Sequence, residues 1–285
     1  MKLPFNIDLS NKVIVVTGGA GVLGSSWVDA LAECDAKVVI LDRRLENAEK
    51  KAAEVTARGK IALGVEANVL DKESLKKAHE IIKEKFGPCD ILINGAGGNN
   101  PKGTTTKEYL YTEDLEKENK DLVTFFDLDE DGIRFVFDLN FLGTLLPSQE
   151  FSRDMIGREG CSIINISSMN AFTPLTKIPA YSGAKAAVSN FTKWLAVHMS
   201  KVGIRVNAIA PGFFVTKQNE TLLKNPDGSY TERSHKILNA TPMGRFGEAD
   251  ELIGALLFLV NEDASSFVNG VVIPIDGGFS AYSGV

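Results

Sequence analysis

Tyr181 and Lys185 are the residues of this sequence whose types and spacing most directly indicate chemistry. They are four residues apart, and on a helix this spacing places two side chains on one face, one turn apart. A phenol titrates near pH ~10, and a neighbouring ammonium group lowers that pKa because it favours the phenolate. The hydroxyl of Ser168 can hydrogen-bond the oxygen of the group being changed, as an oxyanion donor does. Together these side chains predict proton transfer to or from an alcohol oxygen, although the tyrosine and lysine taken alone also fit an ordinary amphipathic helix.

Apolar runs alternate with helical patterns along the sequence, and these elements must position the three side chains. The runs are continuously apolar, as in strands buried on both faces of a parallel sheet. The sequence therefore predicts an α/β fold with a seven-stranded parallel sheet, helices on both faces and a single domain over residues 1–285. The predicted strands are residues 12–17, 38–41, 61–65, 91–94, 162–166, 205–209 and 271–275.

Composition argues against several functional classes. Apolar residues make up 44% of the 285 residues and charged residues 24%, as is ordinary for a soluble globular protein. The net charge of −6 disfavours nucleic acid or an anionic membrane as the main partner. No apolar run is long enough to span a bilayer and the N-terminus has no signal-peptide core, so we expect a cytoplasmic protein. The cysteines are odd in number and the histidines lack ligand spacing, so we expect free thiols and no metal site; these residues are Cys34, Cys89, Cys161, His79, His198 and His235.

A glycine-rich turn between Thr17 and Gly24 follows the first strand and precedes a helix. Glycines let the backbone approach a pyrophosphate, and the helix N-terminus supplies amide donors and a favourable dipole. Asp42 closes the second strand, within the ~20-residue range of the acid that binds adenosine ribose hydroxyls. Its carboxylate would repel the 2′-phosphate of NADP, whereas Arg43 and Arg44 could bind that phosphate. We expect NAD, with NADP less favoured, because Asp42 holds the strand-end position.

Two segments are long for connections between elements, residues 97–130 and 216–241. Both follow the carboxyl ends of predicted strands, where open α/β sheets bind ligands. They could be surface insertions without function, but loops of this length more often act as lids or specificity elements. We therefore expect lids.

Motifs in sequence order resemble those of the short-chain dehydrogenase/reductase family, over essentially the whole protein. They are the glycine-rich turn, the turn at residues 94–97, Asn140, Ser168 thirteen residues before Tyr181, Lys185 and Pro211-Gly212. The resemblance implies a Rossmann-type doubly wound fold. It implies that Tyr181 is the general acid/base and that Lys185 lowers its pKa and binds the nicotinamide ribose. It further implies that Ser168 orients the substrate oxygen and that Asn140 holds a proton-relay water.

The same resemblance implies a cofactor site with two departures from the family pattern. Val22 replaces the middle glycine of the usual turn, and Asn68 replaces the aspartate usual after the third strand. An amide can still meet the adenine edge, so NAD remains the expected cofactor, with Thr216 on the nicotinamide carboxamide. The expected cofactor-binding residues are Gly18, Ala20, Gly21, Val22, Leu23, Gly24, Asp42, Arg43, Asn68, Val69, Asn94, Gly95, Ala96, Gly97, Tyr181, Lys185, Pro211, Gly212, Phe214 and Thr216.

A narrower resemblance, to the D-mannonate oxidoreductases (fructuronate reductases) within this family, rests on residues 168–177, 211–219 and 277–285. That group interconverts D-mannonate and D-fructuronate with NAD. Polar loop residues would suit a polyhydroxylated anion, although loops are also polar simply because they are solvated. Gluconate 5-dehydrogenase and 2-deoxygluconate dehydrogenase remain alternatives, as does a non-catalytic nucleotide-sensing protein. The candidate substrate residues are Asn100, Lys102, Asn170, Lys177, Lys217 and Gln218.

Other residues favour structural interpretations. Arg245 lies in a stretch common to family members with unrelated substrates, so we expect it to be structural. Apolar surface on the helices that carry Asn140 and Tyr181, together with the family resemblance, predicts a homotetramer. Core or subunit packing is expected of five phenylalanines, Phe125, Phe126, Phe135, Phe137 and Phe141.

Overall fold

One parallel sheet forms the centre of the molecule, which is described from a computed structural model over residues 7–116, 120–215 and 223–284. Its strands are β1 (Val13–Thr17), β2 (Lys37–Asp42), β3 (Ile61–Glu66), β4 (Ile91–Asn94), β5 (Ser162–Ile166), β6 (Arg205–Pro211) and β7 (Val272–Ile275). They lie in the order β3-β2-β1-β4-β5-β6-β7. The order reverses between β1 and β4, the point at which open α/β sheets bind ligands beyond their strand ends. The predicted fold is confirmed, and the predicted strands lie within two residues of the observed bounds.

Both faces of the sheet are buried at its central strands, β1, β4, β5 and β6, which explains why these strands are largely apolar. Successive side chains of a strand point to opposite faces. In β1, Ile14 and Val16 lie in one apolar core, and Val13 and Val15 lie in the other. A one-residue shift of β1 would exchange these two sets, so burial on both sides fixes the register of the strand that leads into the glycine-rich turn.

Helices cover the two faces and connect the strands. An aspartate begins the third of them, where the Asp71 side chain accepts hydrogen bonds from the backbone N–H groups of Glu73 and Ser74. The helices are α1 (Val22–Glu33), α2 (Leu45–Thr56), α3 (Lys72–Lys85), α4 (Glu113–Glu116), α5 (Glu130–Phe137), α6 (Gly143–Phe151), α7 (Pro179–His198), α8 (Glu232–Asn239), α9 (Ile253–Val260) and α10 (Glu262–Ser265).

A π-helical turn, Asp138–Leu142, joins α5 to α6. Such turns widen a helix locally and often occur at functional sites. This one contains Asn140, which is fully buried.

The phenylalanines before and within α5 lie outside the core of the subunit, so of core and subunit packing only the latter stays a prediction for them. Phe125 and Phe126 are 68% and 69% exposed and pack edge to face on each other. Phe135 and Phe137 are also exposed on the isolated subunit. Phe141 is half-buried against the ring of Phe191. Aromatic side chains are buried more often than polar ones, but whether a particular one is buried depends on whether its helix face turns toward the sheet.

The two long segments contact each other. Lys236 of α8, in the second segment, forms an ion pair with Glu108 of the first at 3.1 Å. The backbone of the first segment is also attached to the approach to α7, because the Thr105 N–H donates to the Lys177 carbonyl at 2.9 Å. The described parts of the two segments are therefore attached to each other and to the approach to α7.

Within the described residues, no helix is long and apolar enough to cross a membrane. Over the same ranges, no cluster of histidine, cysteine and carboxylate side chains could hold a metal ion. The three cysteines are free thiols, with Cys89 and Cys161 buried.

Candidate active site

Helix α7 brings Tyr181 and Lys185 together. It begins at Pro179, and proline is favoured at a first helical position because its fixed φ suits the helix and its missing N–H is not needed there. The Lys185 ammonium nitrogen lies 5.7 Å from the centroid of the Tyr181 ring. The predicted one-turn spacing on a single helix face is thus present.

Lys185 is buried, with 4% of its surface exposed. Its Nζ donates to the carbonyl oxygen of Ile166, the last residue of β5, at 2.7 Å. Burial disfavours the charged form and lowers the pKa of Lys185 to about 8. The sequence pattern does not indicate the Ile166 carbonyl, because any residue at a strand end presents one.

Tyr181 is half-buried beside Val136, Ala180 and Ala184. Removal of the phenol from water raises its pKa above the ordinary value, and the hydrogen bond with Ser168 acts in the opposite direction. The expectation of a lowered Tyr181 pKa is therefore wrong for this structure. The physical reason is that desolvation raises the pKa of the phenol by more than the hydrogen bond with Ser168 lowers it. The Lys185 ammonium is meanwhile bonded to the Ile166 carbonyl.

Ser168 follows β5 in an extended conformation (φ −161°) and begins a 3₁₀ turn, Met169–Ala171. Its Oγ accepts the backbone N–H of Asn170 at 3.3 Å. The strand end therefore delivers the hydroxyl to the phenol of Tyr181. Ser167, the adjacent candidate, is instead bonded to Ser189 at 2.6 Å, which supports the choice of Ser168.

Asn140 connects the π-helical turn to the loop after β4. Its Nδ2 donates to the carbonyls of Gly98 (2.7 Å) and Val136 (2.8 Å). Its Oδ1 accepts the Gly98 N–H at 3.3 Å. A Cβ on Gly97 would lie 2.7 Å from Asn140 Oδ1 and 3.3 Å from Lys185 Nζ, so only glycine fits between these two side chains.

The turn after β1 provides a cradle of backbone groups. Gly18 has φ +65°, a conformation that favours glycine. Gly21 precedes α1, and among the described residues no side chain caps the first turn of that helix, which also has no acidic residue. The backbone N–H groups of Val22 and Leu23 therefore lie at the N-terminus of α1, which carries a partial positive charge. The first turn of the helix contributes no carboxylate that would neutralise this charge. This arrangement fits a pyrophosphate.

Asp42 lies at the end of β2, where one carboxylate oxygen accepts the Arg44 N–H at 3.0 Å. The Arg44 guanidinium is within 2.7–2.9 Å of the Asn47 side-chain amide, and both Arg43 and Arg44 are exposed. After β3, the Asn68 carboxamide oxygen accepts the Leu70 N–H at 3.1 Å. The neighbouring Val69 is buried.

Asn94, one of the expected cofactor-binding residues, uses its side chain inside the core. It is 1% exposed, and its Nδ2 donates to Ser148 Oγ (2.9 Å) and Asn165 Oδ1 (2.8 Å). Its amide thus links β4 to α6 and β5 inside the core. Only the backbone near Asn94 can face a cofactor.

Thr17 has a role that the sequence pattern does not predict. Its Oγ1 accepts the N–H groups of both Gly95 and Ala96 at 3.1 Å, and so holds the loop after β4 against β1. A polar β-branched residue at the end of a buried strand is the signal that could have indicated this role.

At the end of β6, Gly212 packs so closely that a Cβ there would lie 2.5 Å from Asp276 Cα. Phe214 is buried and pairs with Gly247 in an isolated bridge. Pro211 ends the strand. Thr216, Lys217 and Gln218 lie outside the described residues.

The remaining substrate candidates occupy different environments. Asn100 caps a short 3₁₀ turn by accepting the Lys102 N–H at 3.0 Å, and Lys102 is exposed. Lys177 has φ +72°, an unusual conformation for a lysine. Asn170 is 5% exposed.

Arg245 pairs with both carboxylate oxygens of Glu251 at 2.6 and 2.7 Å, in agreement with a structural role.

Comparison with known proteins extends this picture. Residues 12–227 match the short chain dehydrogenase family. An uncharacterized oxidoreductase of Haemophilus influenzae is 59% identical over 285 residues, with 100% of this chain and 99% of the relative covered. The 5-keto-D-gluconate 5-reductase of Escherichia coli (strain K12) is 32% identical, with 95% of this chain and 96% of the relative covered.

Among solved structures, a protein from Haemophilus influenzae, provisionally described as a D-mannonate oxidoreductase with bound NAD, superposes with a TM-score of 0.94 at 58% identity. All of both proteins is covered. The present protein therefore belongs to the short-chain dehydrogenase/reductase family, whose members are oxidoreductases acting on CH–OH groups.

Proposed function

We propose that this enzyme uses NAD(H) to interconvert the secondary alcohol of a sugar acid and the corresponding keto-acid, with D-mannonate and D-fructuronate as the pair. The observation that carries the chemistry is a tyrosine and a serine in hydrogen-bond contact beside a buried lysine. The NAD-bound relative at 58% identity supports the cofactor and, through its description, the substrate pair.

Tyr181 acts as the general acid/base in this proposal. In the reductive direction its Oη donates a proton to the oxygen of the substrate carbonyl, and in the oxidative direction it removes that proton. The Ser168 hydroxyl orients the same oxygen. NAD(H) supplies or accepts the hydride when bound.

Lys185 and Asn140 prepare the site. Lys185 is charged below its pKa of about 8, and in this proposal its ammonium group, 5.7 Å from the centroid of the Tyr181 ring, acts against the desolvation that raises the pKa of the phenol. Asn140 holds the backbone of Gly98 and Val136 through three hydrogen bonds. It thereby fixes the position of Gly97 beside Lys185, and in this proposal Asn140 also holds the proton-relay water.

The cofactor lies, in this proposal, along the carboxyl ends of β1, β2 and β4. The first turn of α1 binds the pyrophosphate, and Asp42 accepts hydrogen bonds from the adenosine ribose. Asn68 and Val69 meet the adenine, and the backbone of residues 94–97 and 211–216 borders the nicotinamide half. Arg43 and Arg44 are exposed cations beside Asp42 that could bind the extra phosphate of NADP, but the Asp42 carboxylate at the strand end repels that phosphate. The proposal is therefore a preference for NAD.

The substrate carboxylate requires a cation away from the reacting carbon, because the carbinol oxygen must lie beside Tyr181 and Ser168. Lys177 ranks first, since it lies four residues before Tyr181 in the segment that leads into α7. Its φ of +72° is the kind of backbone strain that clusters at ligand sites. Lys177→Met should raise KM for the sugar acid by about 10-fold or more, as expected for loss of a charged hydrogen bond, and leave NADH affinity unchanged. Lys102→Met is the matched comparison, and an unchanged KM in both variants would contradict a described lysine as the carboxylate partner.

A gluconate 5-dehydrogenase activity is the alternative, and the 32% identity to the Escherichia coli 5-keto-D-gluconate 5-reductase favours it. The deciding experiment follows NADH oxidation by its ultraviolet absorbance with D-fructuronate, 5-keto-D-gluconate and a neutral ketose. Faster reduction of D-fructuronate supports the proposal. Faster reduction of 5-keto-D-gluconate supports the alternative, and no reduction of any of them contradicts the sugar-acid assignment.

The assembly proposed is a homotetramer. Helices α5 and α7 and the π-helical turn carry large apolar side chains that are exposed on the isolated subunit: Phe135, Phe137, Leu142, Trp194 and Val197. Burial of such surface against other copies is favourable at about 25 cal/mol per Å².

Residues 97–130 and 216–241 are proposed as lids over the substrate.

A further inference from the structure

Asn170 contains a buried polar atom that the chemistry described above does not use. The residue is 5% exposed, and its side-chain oxygen Oδ1 has no hydrogen-bond partner among the residues that the structure describes. Buried polar atoms in native proteins are nearly always paired, so each exception calls for a physical reason. The position of Asn170 supplies one.

Asn170 lies next to the reacting groups. Its backbone N–H donates to the Oγ of Ser168 at 3.3 Å, and Ser168 is in hydrogen-bond contact with the Tyr181 phenol. The 3₁₀ turn that contains it, Met169–Ala171, packs against α7. Any molecule whose oxygen is held between Ser168 and Tyr181 therefore extends within reach of this turn.

The chemistry of the unpaired atom selects its partner. An amide carbonyl oxygen only accepts hydrogen bonds. An ionised carboxylate and a ketone also only accept, so neither can satisfy it. A hydroxyl group can donate, and a polyhydroxylated substrate carries hydroxyls on carbons close to the reacting one.

We infer that Asn170 Oδ1 accepts a hydrogen bond from a substrate hydroxyl near the reacting carbon, and that Asn170 thereby determines specificity for polyhydroxylated substrates. This inference deepens the proposed function and rests on it. A site that hydrogen-bonds a substrate hydroxyl rejects the analogue lacking it, because the buried acceptor is then left unpaired. Asn170 acts on substrate choice, while Tyr181 and Ser168 carry the proton chemistry.

The test compares wild type with Asn170→Leu, which has a similar volume and no acceptor. Each enzyme is assayed with the best polyhydroxylated ketone from the panel above and with its monodeoxy analogues. Wild type should lose about 10- to 100-fold in kcat/KM when one particular hydroxyl is removed. In Asn170→Leu that discrimination should fall to within about threefold, mainly through KM. The affinity for NADH should not change.

A control separates this role from a structural one. Ser162 also has a buried oxygen with no hydrogen-bond partner among the described residues, but it begins β5 at the opposite end of the strand. Ser162→Ala should retain the wild-type discrimination among deoxy analogues. Because Asn170→Leu removes an unpaired acceptor, its melting temperature should not fall; Asn170→Ala provides a second variant if leucine crowds the turn.

The outcomes are distinct. If wild type and Asn170→Leu discriminate equally against every deoxy analogue, the inference is wrong while the proposed function stands. If the variant instead loses its preference for acids over neutral polyols, Asn170 binds the carboxylate through its amide N–H₂, and the hydroxyl assignment is overturned. If wild type reduces no polyhydroxylated ketone, the proposed function and this inference fail together.

Discussion

Lys185→Met should inactivate the enzyme and yet stabilise its fold at neutral pH. Burial lowers the pKa of Lys185 from 10.5 to about 8, and one pKa unit corresponds to about 1.4 kcal/mol, so the folded state loses about 3 kcal/mol by keeping this amine charged. Methionine removes that cost. It also leaves the Ile166 carbonyl without its partner at 2.7 Å, which costs about 1–3 kcal/mol. The net expectation is a stabilisation of about 1 kcal/mol, or a rise in Tm of about 2–4 °C.

The dependence on pH tests the cause. The folded-state pKa of Lys185 is depressed, so between about pH 8 and the ordinary value the unfolded state binds a proton that the folded state lacks. The stability of wild type therefore rises with pH through this window. The advantage of Lys185→Met should be largest below pH 8, shrink above it, and reverse once the lysine is neutral in both states.

Thermal unfolding by circular dichroism at neutral and alkaline pH measures this difference. Lys193→Met is the matched control, because Lys193 is exposed on the same helix and its replacement should change stability by less than about 0.5 kcal/mol. A Lys185→Met variant that is less stable than wild type by the same amount at every pH would refute the reasoning. It would mean that the buried ammonium is not a cost to the fold.

Three further predictions concern catalysis, cofactor choice and assembly. Tyr181→Phe should lower kcat by roughly 10²–10⁴ while NADH still binds in a fluorescence titration, because a positioned acid/base is lost; turnover within tenfold of wild type would contradict its role. Asp42→Ala should reduce or reverse the preference for NADH over NADPH, since the repulsion of the 2′-phosphate is removed and Arg43 remains; equal use of both cofactors by wild type would show that Arg43 already overrides Asp42. Light scattering should report a tetramer for wild type and a smaller species for Trp194→Glu, because Trp194 is 56% exposed on α7; a wild-type monomer at micromolar concentration would rule out the proposed assembly.

The sheet could be predicted from the sequence because its signal is local. The central strands β1, β4, β5 and β6 are buried at every position, so they appear as largely apolar runs, and the observed bounds follow those runs closely. The one-turn spacing of Tyr181 and Lys185 is also a local property of a helix. The roles of these residues, by contrast, came from a family resemblance, since the spacing alone fits an ordinary helix.

The features that could not be predicted from the sequence all depend on contacts between distant parts of the sequence. Asn94 occupies a cofactor-site position in the sequence, and the bonds of its side chain to Ser148 and Asn165 form only in the folded core. The exposure of Phe125 depends on how the segment before α5 meets the sheet. The raised pKa of Tyr181 depends on the balance between burial and hydrogen bonding, and neither quantity can be estimated from a helix pattern.

The local conflicts in this structure concentrate around the proposed reaction site. Lys185 is a buried amine whose charge opposes folding. Asn170 holds an oxygen that has no partner within the described part of the chain, and Lys177 adopts a left-handed conformation. All three lie between the end of β5 and the second turn of α7. Conflicts of this kind are expected at functional sites, where the rest of the fold must offset their cost. Stability gained by relieving any one of them should therefore coincide with lost activity, whereas relieving the unpaired Ser162 oxygen at the opposite end of β5 should leave activity intact.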